Sequence, residues 1–336
     1  MNKKIIRYII STLVLMLMVS SAILFEEKEI IFPEMAALTI GMWIVEKDVW
    51  RVRPKQMLVL MTLGAIVGVC IVKFLPLLLI FKIALAFSFA AICLIFTKTS
   101  LIPLLSACIL PVMLGTESFI YFLAVCILTF TIVTIENVLC KLGIRKTIDI
   151  NCYKGDIKQE AILWIKMLIV LFIVSFFAIY VSNLFIILPP LIVTFAEFVH
   201  SKAGFRSRPF QIIFILFAAS SIGTLFCIVG REFFHLNDIV IIAFIFISLI
   251  IVFELVGKYF APAGAMALIP MILPSKDLIY LPLYECLGSI IFIGLALLIF
   301  MKCHKWPKAK LYYCLNINTL RNNVISRNIS SKTTKL

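Results

Sequence analysis

Apolar residues run in stretches of about twenty along almost the whole chain, and polar residues gather in short clusters between them. A hydrocarbon core about 30 Å thick takes roughly 20 consecutive apolar residues per helical crossing. Segments at 5–25, 30–46, 56–72, 76–97, 101–114, 118–142, 161–182, 184–200, 210–229, 238–257, 261–274 and 278–301 meet or approach that length. The pattern therefore predicts an all-α fold, a polytopic transmembrane helical bundle of about twelve spans. The only polar stretches of any size are Lys141 to Glu160 and the tail after Phe300, which leaves no room for a catalytic domain outside the membrane.

Composition agrees with this. The chain is 63% hydrophobic and 14% charged, against roughly 45–50% apolar and about 25% charged in soluble domains. The net charge of +14 would point to nucleic acid in a soluble protein, but its distribution points elsewhere. With a cytoplasmic N-terminus, Lys3, Lys4, Arg7, Lys47, Arg51, Arg53, Lys55, Lys98, Lys141, Arg145, Lys146, Lys154, Lys158, Lys202, Arg206, Arg208, Lys258 and the basic tail all fall on the cytoplasmic side. Lys28, Lys73, Arg231 and Lys276 are left for the other side, so the positive-inside bias is obeyed. The reading is a multi-pass plasma-membrane protein with both termini cytoplasmic. Its partners are anionic lipid at that face and a small solute or ion, with an oligomer open and no nucleic acid. Lys3, Lys4 and Arg7 before an apolar run that reaches Ser20-Ser21-Ala22 also fit a secretory signal, but the run is long for one. Ten cysteines show no CxxC and no metal-ligand spacing, so no metal or cofactor is expected.

The chain repeats itself. Arg51-Val52-Arg53-Pro54-Lys55-Gln56 returns as Arg206-Ser207-Arg208-Pro209-Phe210-Gln211, and Gly68 returns at the same offset as Gly223. Pro103, Pro111 and Ile120-Tyr121 return four residues out of that register as Pro262, Pro270 and Ile279-Tyr280, and Pro33 pairs with Pro189. The expected organisation is a first membrane repeat at 1–142, a cytoplasmic linker at 143–160, a second repeat at 161–301 and a basic, disordered tail at 302–336. Six segments per repeat make the halves parallel. Inverting the second would move the basic linker and the Lys202 to Arg208 loop outside.

Leu101–Leu114 and Ala261–Pro274 are short, about 21 Å at 1.5 Å per residue, and each holds an internal proline, Pro111 or Pro270. One short, proline-broken helix is thus expected in each half, with carbonyls that protein or water must satisfy. Discontinuous helices in matching positions of two repeats point to a transporter site. The plain alternative is a tightly packed, proline-kinked helix.

The run Phe260-Ala261-Pro262-Ala263-Gly264-Ala265-Met266-Ala267-Leu268 resembles the signature of the HPP family of integral membrane proteins, in which His-Pro-Pro precedes small residues. Pro189, Arg208-Pro209 and Gly223 follow that family's upstream order, and Pro33, Arg53-Pro54 and Gly68 repeat it. The resemblance implies two HPP-like units and transport of small anions such as nitrite. The chain departs from it where Phe260 and Ala261 replace the His and first Pro, and where Leu101-Ile102-Pro103 replaces the triplet.

Ionisable groups inside spans are functional candidates. Glu254 and Glu136 lie near Lys258 and Lys141 at helix ends and read as structural pairs. Glu34, Glu197 and Glu285 have no such explanation. The doubled Arg-x-Arg-Pro-x-Gln places Arg51, Arg53, Arg206 and Arg208 at proline-started helices, where free amides and guanidinium groups would suit an anion. Anchoring to lipid phosphate explains the same residues. The substrate-binding candidates are these four arginines with Pro103, Pro111, Pro262, Gly264, Pro270, Glu34, Glu197 and Glu285. The function expected is a secondary transporter or channel for a small anionic solute. A non-transporting assembly factor or sensor and an aromatic-acid-exporter-like permease are the alternatives. An enzyme is not expected, since no GxSxG, paired carboxylates or metal motif occurs.

Overall fold

A computed structural model describes residues 3–46, 49–145, 157–200, 208–274 and 277–303. Twelve α-helices and no strand occur among the described residues. They are α1 (Lys3–Leu24), α2 (Glu34–Thr39), α3 (Pro54–Phe74), α4 (Leu79–Thr97), α5 (Leu104–Leu114), α6 (Phe119–Lys141), α7 (Ile157–Tyr180), α8 (Pro189–His200), α9 (Pro209–Ile228), α10 (Asp238–Val256), α11 (Ala261–Ile272) and α12 (Leu281–Cys303). Helices α2 and α9 each widen into one π turn, Ile40–Ile44 and Val229–Phe233. Every predicted apolar segment contains one of these helices.

Only eight, namely α1, α3, α4, α6, α7, α9, α10 and α12, are long and apolar enough to cross a membrane. The other four are half-length. There are two in each half, α2 and α5 then α8 and α11, rather than the single one expected. The prolines do not break them either: α5 runs through Pro111 and α11 through Pro270. Both prolines sit in the last turns, where few carbonyls remain for their rings to displace.

The half-length helices form the core. Every residue of α2 is buried, as are Leu104–Val112 of α5 and Ala261–Met271 of α11, and in α8 only Glu197 and His200 reach partial exposure. A helix of eleven or twelve residues covers about 17 Å, so its terminal amides and carbonyls would lie in hydrocarbon if it faced lipid. Enclosure by the eight long helices avoids that cost. The long helices in turn leave more than half of their residues incompletely buried and present Leu13, Leu17, Phe96, Phe176, Phe244 and Leu298 outward.

The halves interlock. Helix α2 packs on α11, α8 on α5, and α1 on α10. Within each half one contact recurs: Gly68 of α3 lies against the Cys108 carbonyl and Pro111 of α5, and Gly223 of α9 lies against the Ala267 carbonyl and Pro270 of α11. A Cβ on either glycine would run into backbone, which is why glycine stands there. Gly64 of α3 meets Leu104, so α5 starts level with the tenth residue after Pro54, about 15 Å along its neighbour. Residues 101–103 are buried as they descend to that point, after Arg51 N donates to Ser100 Oγ at 2.8 Å.

One end of the bundle is tied together by basic side chains. Lys3 Nζ donates to the Gly143 carbonyl at 2.9 Å, and Lys4 pairs with Glu254 at 2.6 Å. Tyr8 and Tyr259 hydroxyls also donate to Glu254. The N-terminus, the start of the linker and the end of α10 therefore share a face. Glu254 is held by α1, not by the local i,i+4 pair expected, and Glu136 pairs with Arg145 at 2.8 Å rather than with Lys141. Lys4 reaches Glu254 from a packed neighbouring helix, whereas Arg145 reaches Glu136 from the turn that follows α6.

Candidate functional site

The centre of the first half is built around Glu34, the first residue of α2. It is 1% exposed. Ser106, in the first turn of α5, donates its hydroxyl to Glu34 Oε1, while Oε2 has no hydrogen-bond partner among the described residues. A carboxylate beside the amino end of a helix meets the positive end of its dipole. Tyr121 of α6 closes the same region: its hydroxyl donates to the Ala107 carbonyl at 3.1 Å, and its ring stands edge-on to Phe32 at 6.1 Å. Ala107 is four residues before Pro111, so its carbonyl is the one that the proline leaves without an amide. Tyr121 supplies the missing donor.

The other end of α2 is held by two arginines. Arg7 Nη1 donates to the Trp43 carbonyl at 3.1 Å and Arg145 Nη1 to the Val45 carbonyl at 3.2 Å. Buried guanidinium groups satisfy carbonyls that the π turn leaves open and complement the negative end of the helix. Arg145 also meets buried Glu136, and Arg7 lies 3.8 Å from Glu46.

In the second half, Trp50 Nε1 donates to Glu197 Oε1 at 3.0 Å, which ties the loop before α3 to α8. Glu285, in α12, is 1% exposed, and neither oxygen has a hydrogen-bond partner among the described residues. Ser220 of α9 is beside it. One turn further along α12, Gly288 rests on the Ile186 carbonyl and Leu191, on either side of the start of α8. At the end of the bundle away from Lys4 and Glu254, Arg231 makes a two-pronged contact with Asp238 at 2.8 and 2.9 Å and donates to the Met271 carbonyl at 3.2 Å, capping the end of α11.

The candidates therefore divide among separate places. Pro103 immediately precedes α5 and Pro111 lies in it, while Pro262, Gly264 and Pro270 belong to α11; Gly264 packs against the Ala36 backbone of α2. Glu34, Glu197 and Glu285 are not gathered into one cluster, and no group of three or more His, Cys, Asp or Glu suited to a metal occurs among the described residues. Arg51 and Arg53 are exposed at the rim and Arg208 is half-buried. The Arg-Pro-x-Gln motif starts a helix in both halves, as expected, but its Gln differs in use. Gln56 accepts from Arg53 N at 3.3 Å, whereas Gln211 accepts from the Arg208 guanidinium at 3.4 Å. Arg206, residues 146–156 of the linker and the tail from 304 lie outside the described residues.

Sequence reasoning missed Ser106, Tyr121, Trp50 and Ser220, and read Arg7 and Arg145 only as orientation charges. A signal existed for Tyr121, which belongs to the repeated Ile-Tyr pair. None existed for Ser106 or Ser220, since a lone serine in an apolar run carries no pattern.

An all-helical bundle with eight membrane-length apolar helices and a buried polar centre is a multi-pass membrane protein. No known family model, curated protein or solved structure matches the chain.

Proposed function

We propose that this protein is a twelve-span secondary transporter for a small anionic solute in the plasma membrane, with both termini cytoplasmic and two parallel six-helix repeats. The observation that carries the reading is the core itself: four half-length helices surrounded by the eight long ones, with the buried carboxyl of Glu34 where α2 and α5 begin. Half-helix amino ends offer partial positive charge away from bulk water, which suits an anion. The start of α5 has Glu34 against it, while Ala261-Pro262-Ala263-Gly264 at the start of α11 brings no acidic side chain.

The repeat is supported by the paired contacts of Gly68 with Pro111 and Gly223 with Pro270. Sidedness is supported by the basic residues that collect at the end shared by Lys3, Gly143 and Glu254. The likeness to the HPP family rests on the short motifs around Pro209 and Pro262 and agrees with anion transport.

Purified protein in sealed liposomes tests the function. Gradients of nitrite, nitrate, chloride, formate and acetate are imposed, and flux is followed by anion-sensitive dyes and by current. The expected result is saturable flux of at least one anion, strongly slowed by Glu34→Gln. Absence of flux under every gradient, from protein that still unfolds cooperatively, would refute the reading in favour of an assembly or sensory role.

A further inference from the structure

We infer that Glu285 is a proton-binding site of this protein, separate from the Glu34–Ser106 contact, and that it holds its proton in the conformation described here. Its burial at 1% and the lack of a hydrogen-bond partner for either oxygen among the described residues set the argument. A carboxylate without a hydrogen-bond partner in an apolar interior is far costlier than the neutral acid. Among the described residues, the elements packed most closely against α12 bring no charge to it. Of the elements packed against α12, the 3-10 turn Leu184–Ile187 has no titratable residue; α8 has Glu197 and His200, both near its far end; α9 has Cys227. Tyr284 and Cys286 flank Glu285 on its own helix.

The same geometry explains how the proton leaves. Glu285 is the fifth residue of α12, about 6 Å from the helix end by rise per residue, so a small displacement of that end exposes it to water. Ser220 Oγ is also buried without a partner. When the acid ionises, the serine hydroxyl donates to the carboxylate, so the ionised form gains a bond that the neutral form lacks. The proton goes to water and no other bond is made or broken. A metal cation is a poorer fit, because one carboxyl and one hydroxyl supply too few oxygens to replace its hydration shell.

Ser220 lies one turn before Gly223, the point at which α9 seats α11 against Pro270. A change at Glu285 is thereby passed to a half-length helix of the core. The proton site stands without the transport reading; its use in driving solute rests on that reading.

Infrared difference spectra of the purified protein in lipid, recorded as pH is raised through the range where carboxyl groups titrate, test the site. A protonated-carboxyl band is expected in the wild type and is lost in Glu285→Gln, which keeps the shape of the neutral acid. In Ser220→Ala the pH at which the band disappears changes, because the ionised form has lost its donor. Identical spectra for wild type and Glu285→Gln overturn the proposal. A Glu285→Gln protein that fails to fold also overturns it, since the site would then require charge; Ser220→Ala spectra unchanged from wild type exclude the serine's part. A carboxyl band without any solute flux in liposomes keeps the site and removes the transport reading alone.

Discussion

If α9 and α11 are seated on one another by Gly223, then Gly223→Ala destabilises the bundle by an amount set by backbone contact. The added Cβ meets the Ala267 carbonyl and lies 3.1 Å from Pro270 Cγ. Neither is the free end of a flexible side chain, so the helices must separate by a few tenths of an ångström or more. Overpacking of this kind costs about 1–3 kcal/mol. Against it stands the higher helix propensity of alanine, worth roughly 1 kcal/mol in a helix interior. Gly294→Ala in α12 isolates that second effect, because nothing lies within 4 Å of its Cβ. The difference between the two variants is therefore the overpacking cost itself, about 1–3 kcal/mol. Gly68→Ala should match Gly223→Ala, since it meets the Cys108 carbonyl and Pro111. Gly230→Ala should fall between, since it meets only the end of the Ile241 side chain, at 2.9 Å. Unfolding of each purified variant in mixed micelles, followed by helical circular dichroism against denaturing detergent, measures the series. Equal stability of Gly223→Ala and Gly294→Ala would refute the seating of α11 by glycine.

Three further outcomes are expected. Tyr121→Phe strands the Ala107 carbonyl and costs about 1–3 kcal/mol; the loss shrinks when Pro111→Ala is added, because the carbonyl no longer faces a residue without an amide, and a double-mutant cycle reads that coupling. Arg145→Met leaves Glu136 buried beside a lost partner and costs about 3–5 kcal/mol, much of which Glu136→Met restores in the double variant; additive losses would show that the pair is not coupled. Lys158→Cys in intact cells is expected to react with an impermeant thiol reagent only after the membrane is opened, and reaction from outside would overturn the cytoplasmic placement of the linker.

Much of the architecture was legible before any coordinates. The length of the apolar runs located all twelve helices, because the pattern that makes a helix insoluble in water is local and needs no partner to be seen. Arg-Pro-x-Gln marked the starts of α3 and α9, because proline preorganises a first helical turn whatever surrounds it. Shortness alone also placed α5 and α11 away from lipid.

Other properties exist only once chains of contact close. That α2 and α8 are half-length was hidden, since residues 28–46 and 184–200 are mostly apolar over nearly the length of a span, and apolar length alone does not tell how much of a segment is helical. The partners of two carboxylates, one exposed and one buried, were hidden too. Glu254 had a basic residue one turn away and Glu136 had another five residues on, yet α1 and the chain after α6 bring Lys4 and Arg145 to them from 250 and 9 positions distant. Electrostatic pairing depends on distance in space, and in a bundle each helix meets neighbours that sequence order does not name. By itself, the sequence determined that this chain is built of apolar helices suited to a membrane and roughly where each of them lies. Only the tertiary structure decided that four of those helices are sealed inside the rest, because burial of a helix end is a property of what encloses it.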